Sequence, residues 1–456
     1  MIHDLVVSPA EGPLYGSVPV PPDEGIGLLA VLCAALSDGP CELRRVARGD
    51  DVASMVAALR ALGVGIDDDE KGTLRIRGVS LFGWPAGERT LDCGGSLATL
   101  RLLAGLLVAQ EFRTVLTVSE PPPRAGLAIL ASPLRRRGGQ IEGQFSPVIA
   151  GEITAPLVVG PLPLQHRLGE IEIEIAQRSA ELKEAVLVSG LYADGPTYVR
   201  ERFVSRDHLE RILQSLEVPV STAGSIALLS PAGWEGKIPA FGAAVPGDIS
   251  ATTLLLAAAT LVPGSYVCAR GTGLNPTRTG AFSWMRQLGG SVSVEIHSNA
   301  LGEPEGTASA VYAPLTASPL AGETLVRASD DIGALVALAA RARGNVEIGG
   351  ISEIASPREA NALATALVGV LRAFGVRAET IDDGLVVEGR PEGRFSAAEV
   401  DCHGDARLGA AATLLALLAD ARSRVRGVDA LARRFPRVVG TLRAIGAGVH
   451  VEERKE

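Results

Sequence analysis

One pattern recurs along this chain and limits what it can fold into more than any other feature. A short apolar run with helical spacing is followed by a second helix-like run, and the pair is usually closed by Leu-Gly or Gly-Gly. Six copies are legible. Their paired helices are expected at 27–36 and 51–62, 96–108 and 131–137, 180–192 and 206–216, 250–261 and 279–288, 332–341 and 357–374, and 406–420 and 436–445. The period is far longer than that of a short-repeat solenoid, so each copy reads as a duplicated subdomain.

The first helix of each copy is unusual. Residues 28–36, 253–259 and 411–418 carry no charge on any face. A helix apolar all round is buried all round, and none of these approaches the ~20 apolar residues that cross a bilayer. The second helices, such as 52–62, show apolar residues at helical spacing with polar breaks and are expected to lie half exposed. Short β-like runs at 114–118 and 265–268 fall between helices. Each copy is therefore roughly β-α-β-α-β, with its apolar helix inside and its sheet outside.

At 456 residues the chain exceeds a single ordinary domain. Aromatic residues make up only 4%, so the helices must pack through Ala, Leu and Val. A formal net charge of −9 argues against nucleic-acid binding. No membrane association is expected. The first ten residues include Asp4 and no long apolar run, unlike a secretory signal, and a cytoplasmic location is expected. The five cysteines are scattered without metal-ligand spacing, so reduced buried thiols are expected. Asp401, Cys402, His403 and Asp405 resemble a ligand cluster, but no second cluster accompanies them. Neither a metal nor a cofactor is expected. The basic run Arg135-Arg136-Arg137 reads as a solvated helix end beside Gly138-Gly139, with a ligand contact as the alternative.

The copies group as three and three. A Gly-, Ala- and Pro-rich stretch at 231–247 parts copy three from copy four, and prolines at 19–22 part the first strand from copy one. The expected domains are 20–245, and 1–19 together with 246–456. Polar residues gather just before the buried helices: Asp23-Glu24-Gly25, Gly94-Gly95-Ser96, Ser179, Pro246-Gly247-Asp248, Asp330-Asp331 and Asp405. Helix N-termini carry unpaired N–H groups and partial positive charge. Six such ends facing a space between two domains would form an anion-binding cleft. For any single Ser or Asp the competing explanation is plain N-capping.

Several segments resemble the 5-enolpyruvylshikimate-3-phosphate synthase family and, more distantly, UDP-N-acetylglucosamine enolpyruvyl transferase. They include Leu91-Asp92-Cys93-Gly94, Arg101-Leu102-Leu103-Ala104-Gly105-Leu106, Ser205-Arg206-Asp207-His208, Val245-Pro246-Gly247-Asp248-Ile249-Ser250 and Leu274-Asn275-Pro276-Thr277-Arg278. Gly404-Asp405-Ala406-Arg407 resembles the family's Gly-Asp-His-Arg, and Arg434-Phe435-Pro436 its late Lys-Thr-Phe-Pro. The resemblance covers nearly the whole chain. It implies an α/β, two-domain enolpyruvyl transferase-like fold: an inverse α/β barrel of six βαβαβ-type units, three per domain. It also implies a reaction in which phosphoenolpyruvate donates its enolpyruvyl group to the 5-hydroxyl of shikimate 3-phosphate, with release of phosphate. Such chemistry needs several cations for two anionic substrates and acid–base groups beside the reacting carbon.

The resemblance assigns roles unevenly. Asp330 matches a catalytic aspartate, the proposed base on the shikimate hydroxyl. Arg433 stands where a late lysine handles phosphate and enol protonation. Ser179 and Ser205 match serines that contact phosphate or hydroxyl groups, and Arg358 and Arg407 match substrate-binding arginines. Arg124 lies one step from a phosphoenolpyruvate-binding arginine, whose own position is Ala125. Other positions depart. The first-copy Lys-Ser-x-Ser-x-Arg becomes Glu24, Gly25, Gly27 and Leu29. A loop glycine becomes Leu97, a glutamine becomes Glu181, a lysine becomes Ile354, a glutamate becomes Ala355 and a histidine becomes Ala406. The expected function is that of a diverged synthase-like protein, impaired or altered in the family's transfer and taking a small anionic or hydroxylated ligand in the cleft. The alternatives are an active 3-phosphoshikimate 1-carboxyvinyltransferase with a rearranged site and a non-catalytic binding or assembly protein with a protein partner.

Overall fold

The computed structural model describes residues 2–69, 71–119, 126–176, 178–428 and 438–454. The chain divides into two compact units. The amino-half unit comprises Glu24–Val245 and Ala300–Glu303. The carboxy-half unit comprises Met1–Asp23, Pro246–Asn299 and Pro304–Glu456.

In the amino-half unit the helices alternate between an inner and an outer position. They are α1 (Glu24–Ala35), α2 (Asp50–Ala61), α3 (Leu97–Leu107), α4 (Ala128–Arg136), α5 (Ala180–Gly190) and α6 (His208–Ser215). The apolar α1 is buried on every face from Ile26 to Ala35, as a chargeless helix must be. The following α2 buries only Val52, Met55, Val56, Ala58 and Leu59, and turns Arg60 outward. Three four-stranded sheets cover this helical core, and all share one topology. Arg89–Asp92 runs parallel to Thr114–Thr117, which pairs antiparallel with Ile153–Val159, which pairs antiparallel with Ile141–Phe145. Each sheet has one wet face. Along Ile171–Ile175 the three isoleucines are buried, while Glu172 and Glu174 face water.

The carboxy-half unit repeats the plan with α7 (Ile249–Leu261), α8 (Gly280–Gln287), α9 (Gly322–Arg327), α10 (Ile332–Ala339), α11 (Pro357–Ala373), α12 (Ala406–Leu417) and α13 (Val438–Ala444). The inner helices α7, α10 and α12 pack against one another, and every residue of α7 is buried. The last sheet is closed by distant partners. Ile2–Val7 pairs antiparallel with both Ser423–Arg426 and Val449–Arg454. Tyr15–Pro19 likewise runs parallel to Tyr266–Gly273. The sheet of copy five has three strands, and its parallel neighbour is reduced to bridges at Thr316–Arg343 and Leu320–Ile348.

One expectation of the fold is corrected. The two-part α/β plan with six repeated sheets holds, but no sheet among the described residues closes into a barrel. Each is an open ribbon of three or four strands with two free edges. A closed barrel with a side-chain-filled interior takes about eight strands. Here helices fill the interior instead, and a sheet of three or four strands is too narrow to close on itself.

Close helix approach depends on two glycines. A Cβ at Gly105 of α3 would overlap the Ala185 carbonyl of α5, and one at Gly333 of α10 would overlap the Arg407 carbonyl of α12. The basic run also differs from expectation. Arg135 and Arg136 are exposed, but Arg137 is 2% exposed. Its guanidinium donates to the carbonyls of Gly169 and Val186 and to the hydroxyls of Ser189 and Thr197. Burial without a carboxylate partner pulls its pKa down to about 10. Cys33, Cys41, Cys93 and Cys402 are buried. Among the described residues no helix is long and apolar enough to cross a membrane.

Candidate functional site

The helix entrances of the amino-half unit are already occupied by the chain itself. Glu24 opens α1, but its carboxylate reaches α2, accepting from the Asp51 amide at 2.9 Å. The N-cap of α2 is Gly49, which has no side chain to cap with. The Glu24 carboxylate fills the space a Cβ at that position would need. It therefore acts as a cap supplied from another helix. Burial, and then the neighbouring Asp51 charge, raises its pKa to about 7. The next positions of this entrance offer no cation, and Leu29 is buried in the core. At the second entrance Ser96 caps α3 by accepting from the Thr99 amide at 3.0 Å. The Thr99 hydroxyl donates back to the Asp51 carbonyl at 2.9 Å, tying α3 to α2.

At the third entrance Ser179 caps α5 by accepting from the Leu182 amide at 3.3 Å. Beside it lies a charge cluster on a helix whose other residues are buried and uncharged. The Glu181 carboxylate pairs with the Arg101 guanidinium of α3. Its other oxygen lies 3.8 Å from Arg206, which also approaches Glu184 at 3.5 Å. Deeper in the same helix, Lys183 sits between Glu201 and Glu210, 2.8 Å from each. All three are buried. Burial alone would lower the lysine pKa, but the two carboxylates outweigh it and hold the ammonium near 12. Burial pushes Glu210 upward. Ser205 is fully buried, and its hydroxyl oxygen has no hydrogen-bond partner among the described residues. His208 pairs through Nδ1 with the buried Glu303 at 2.8 Å.

In the carboxy-half unit the three inner helices bring their first turns to one small cavity. It is lined by Ser250 and Leu254 of α7, Asp330, Asp331 and Ala334 at α10, and Ala406 and Ala410 of α12. Asp248 caps α7 through the amides of Ser250 and Ala251. The guanidinium of the buried Arg278 lies 3.2 Å from Asp330 and donates to the Ser250 hydroxyl at 3.0 Å. Burial works against this charge, but Asp330, Asp331, Asp23 and Asp248 together outweigh it and raise its pKa. Arg407 is held by Asp405 at 2.6 Å, while Asp405 also accepts from the Arg407 amide. That partner, with Asp330 and Glu359 in support, outweighs burial and raises the arginine pKa, and it lowers that of Asp405.

Asp330 and Arg407 thus share one end of one unit, with Asp330 paired to Arg278 and Arg407 to Asp405. Arg358 stands exposed in the first turn of α11 and forms no ion pair or hydrogen bond among the described residues. Ser179 serves as a cap, and Ser205 lies buried. Arg124 and Arg433 lie outside the described residues. Sequence reasoning assigned no role to Arg278, Arg101, Arg206 or the Lys183 triad. One signal was present: Glu181, Lys183 and Glu184 interrupt a helix that otherwise reads as fully buried, and buried charges require partners.

Residues 9–442 match the sequence profile of the family described as EPSP synthase (3-phosphoshikimate 1-carboxyvinyltransferase). The chain is similar to a 3-phosphoshikimate 1-carboxyvinyltransferase of Acidithiobacillus ferrooxidans, with 35% identity over 93% of each chain. It is similar to another of that description from Geobacter sp. strain M21, with 33% identity over 97% of this chain and 99% of the relative. Among solved structures, an EPSP synthase from Acinetobacter baumannii superposes with a TM-score of 0.87 at 26% identity, covering 99% of this chain and 100% of the other.

Proposed function

Given that the chain belongs to the EPSP synthase family, we propose that it no longer carries out the family's transfer at ordinary rates and instead binds a small, hydroxylated ligand with less negative charge. The observation that carries this reading is the first helix entrance. Where the resemblance assigns a lysine, Glu24 supplies a carboxylate that is committed to α2. Where it assigns an arginine, Leu29 lies in the core. One close contact between a cation and a phosphate dianion is worth on the order of a few kcal/mol near a protein surface, or about three decades of affinity. Glu181 reinforces the reading, because it neutralises Arg101 from within.

The test is phosphate release from phosphoenolpyruvate and shikimate 3-phosphate by the purified chain. No release above background is expected. Turnover at about 1 s⁻¹ or faster, within the ordinary enzyme range, overturns the reading. A second reading, an active transferase with a rearranged site, draws on the curated relatives named 3-phosphoshikimate 1-carboxyvinyltransferase. It also draws on the Glu24 carboxylate being engaged with α2, and on Arg358 standing exposed and unpaired among the described residues. The same assay decides between the two readings.

A further inference from the structure

Arg101 and Arg206 come from different elements, one from α3 and one from the turn before α6, and both reach the first turns of α5. Two guanidiniums on one helix entrance form a fork suited to a planar or tetrahedral oxyanion. Here the oxyanion is part of the chain. One Glu181 oxygen pairs with Arg101, the other faces Arg206 at 3.8 Å, and the Ser179 cap sits two residues earlier. The carboxylate is not deeply packed: the Arg101 and Glu181 side chains are 23% and 33% exposed. Solvent reaches this pair. Ser205, the residue before Arg206 in the chain, is wholly buried, and its hydroxyl oxygen has no partner among the described residues.

We propose that Glu181 is a specificity-determining residue acting as a built-in counter-anion. Its carboxylate holds the two guanidiniums in place of an external phosphate or carboxylate group, so this corner of the amino-half unit accepts uncharged hydroxyls and rejects oxyanions. The proposal rests on the reading of a less anionic ligand and makes it local to one side chain. Glu181→Gln has nearly the same shape and removes the charge. It removes the ion-pair partner of Arg101, while Glu184 still faces both Arg101 and Arg206.

Inorganic phosphate is the probe, titrated calorimetrically into the full chain at fixed ionic strength. E181Q is expected to bind phosphate at least about tenfold more tightly than the unmodified chain, the factor that a modest change in charge pairing produces. E181D, which keeps the charge, shows no gain, and the double variant E181Q/R101Q loses it. Equal phosphate affinity for folded E181Q and the unmodified chain overturns the proposal. If E181Q does not fold, R101Q alone decides. A masked Arg101 predicts the same phosphate-induced rise in melting temperature with and without R101Q, and a smaller rise in R101Q overturns it. The two readings fail separately: turnover by the unmodified chain sinks the proposed function, whereas an unchanged anion affinity in E181Q sinks only the counter-anion.

Discussion

Replacing Glu24 with Gln tests the most consequential contact at the first entrance. The amide oxygen of Gln can still accept from the Asp51 N–H, so the cap of α2 survives while its charge disappears. The charged form is the costly one. Burial, followed by Asp51 and then Asp50, raises the Glu24 pKa from near 4.5 to about 7. The folded chain therefore holds a proton that the unfolded chain releases between pH ~4.5 and ~7. By linkage, the stability this group contributes is fully present below pH ~4.5 and is lost as pH rises through ~7. A shift of this size would be worth ~3 kcal/mol at full weight. Partial exposure and the positive end of α2, itself worth ~0.3–1 kcal/mol to a carboxylate, reduce that to ~1–2 kcal/mol. For a unit of this size that corresponds to roughly 3–6 °C in melting temperature. Thermal melts followed by tryptophan fluorescence at steps from pH 5 to pH 8 measure it, since Trp84 and Trp234 both lie in the amino-half unit. E24Q and the unmodified chain should melt together at pH 5, and E24Q should melt higher at pH 8. Parallel curves at every pH would refute the claim that a costly buried carboxylate closes this entrance.

Two further perturbations test the packing that positions the site. Arg137→Met should destabilise the amino-half unit by ~3–5 kcal/mol, because buried acceptors on Gly169, Val186, Ser189 and Thr197 lose a charged donor together. Urea unfolding measures this, and a loss under ~1 kcal/mol would mean that water replaces the guanidinium. Gly333→Ala drives a methyl into the Arg407 carbonyl and should cost the carboxy-half unit at least ~2–3 kcal/mol, read as a drop of about 6 °C in its melting transition. An unchanged transition would show that α10 and α12 separate freely.

The helices themselves were legible in the sequence. The stretch at 28–36 declared a buried helix through its lack of charge, and 52–62 declared a half-exposed one through its polar breaks. Both patterns are local, so nothing beyond the segment is needed to read them. The departures at Glu24, Leu29 and Glu181 were legible too, but only against the pattern of the family that the chain resembles. Their consequences were not. Glu24 reads as a repelling charge at a ligand site, yet it caps another helix. Arg137 reads as the end of a solvated run, yet it is the buried member, because only it points back toward α5. Asp330 and Arg278 lie far apart in the chain, and neither predicts the other.

The sequence by itself determined the alternation of buried and half-buried helices and the absence of cationic residues from the first entrance. These depend on hydrophobic periodicity and residue identity, which a short segment carries within itself. Tertiary structure alone decided that Ile2–Val7 completes a sheet with strands from the far end of the chain. It also decided that the six sheets remain open around helices, and that Arg101, Arg278 and Arg407 each face a carboxylate of the chain itself. Strand pairing and charge pairing act over a few ångströms, here between residues up to hundreds of positions apart. Which groups meet at that distance is set by how the helices pack.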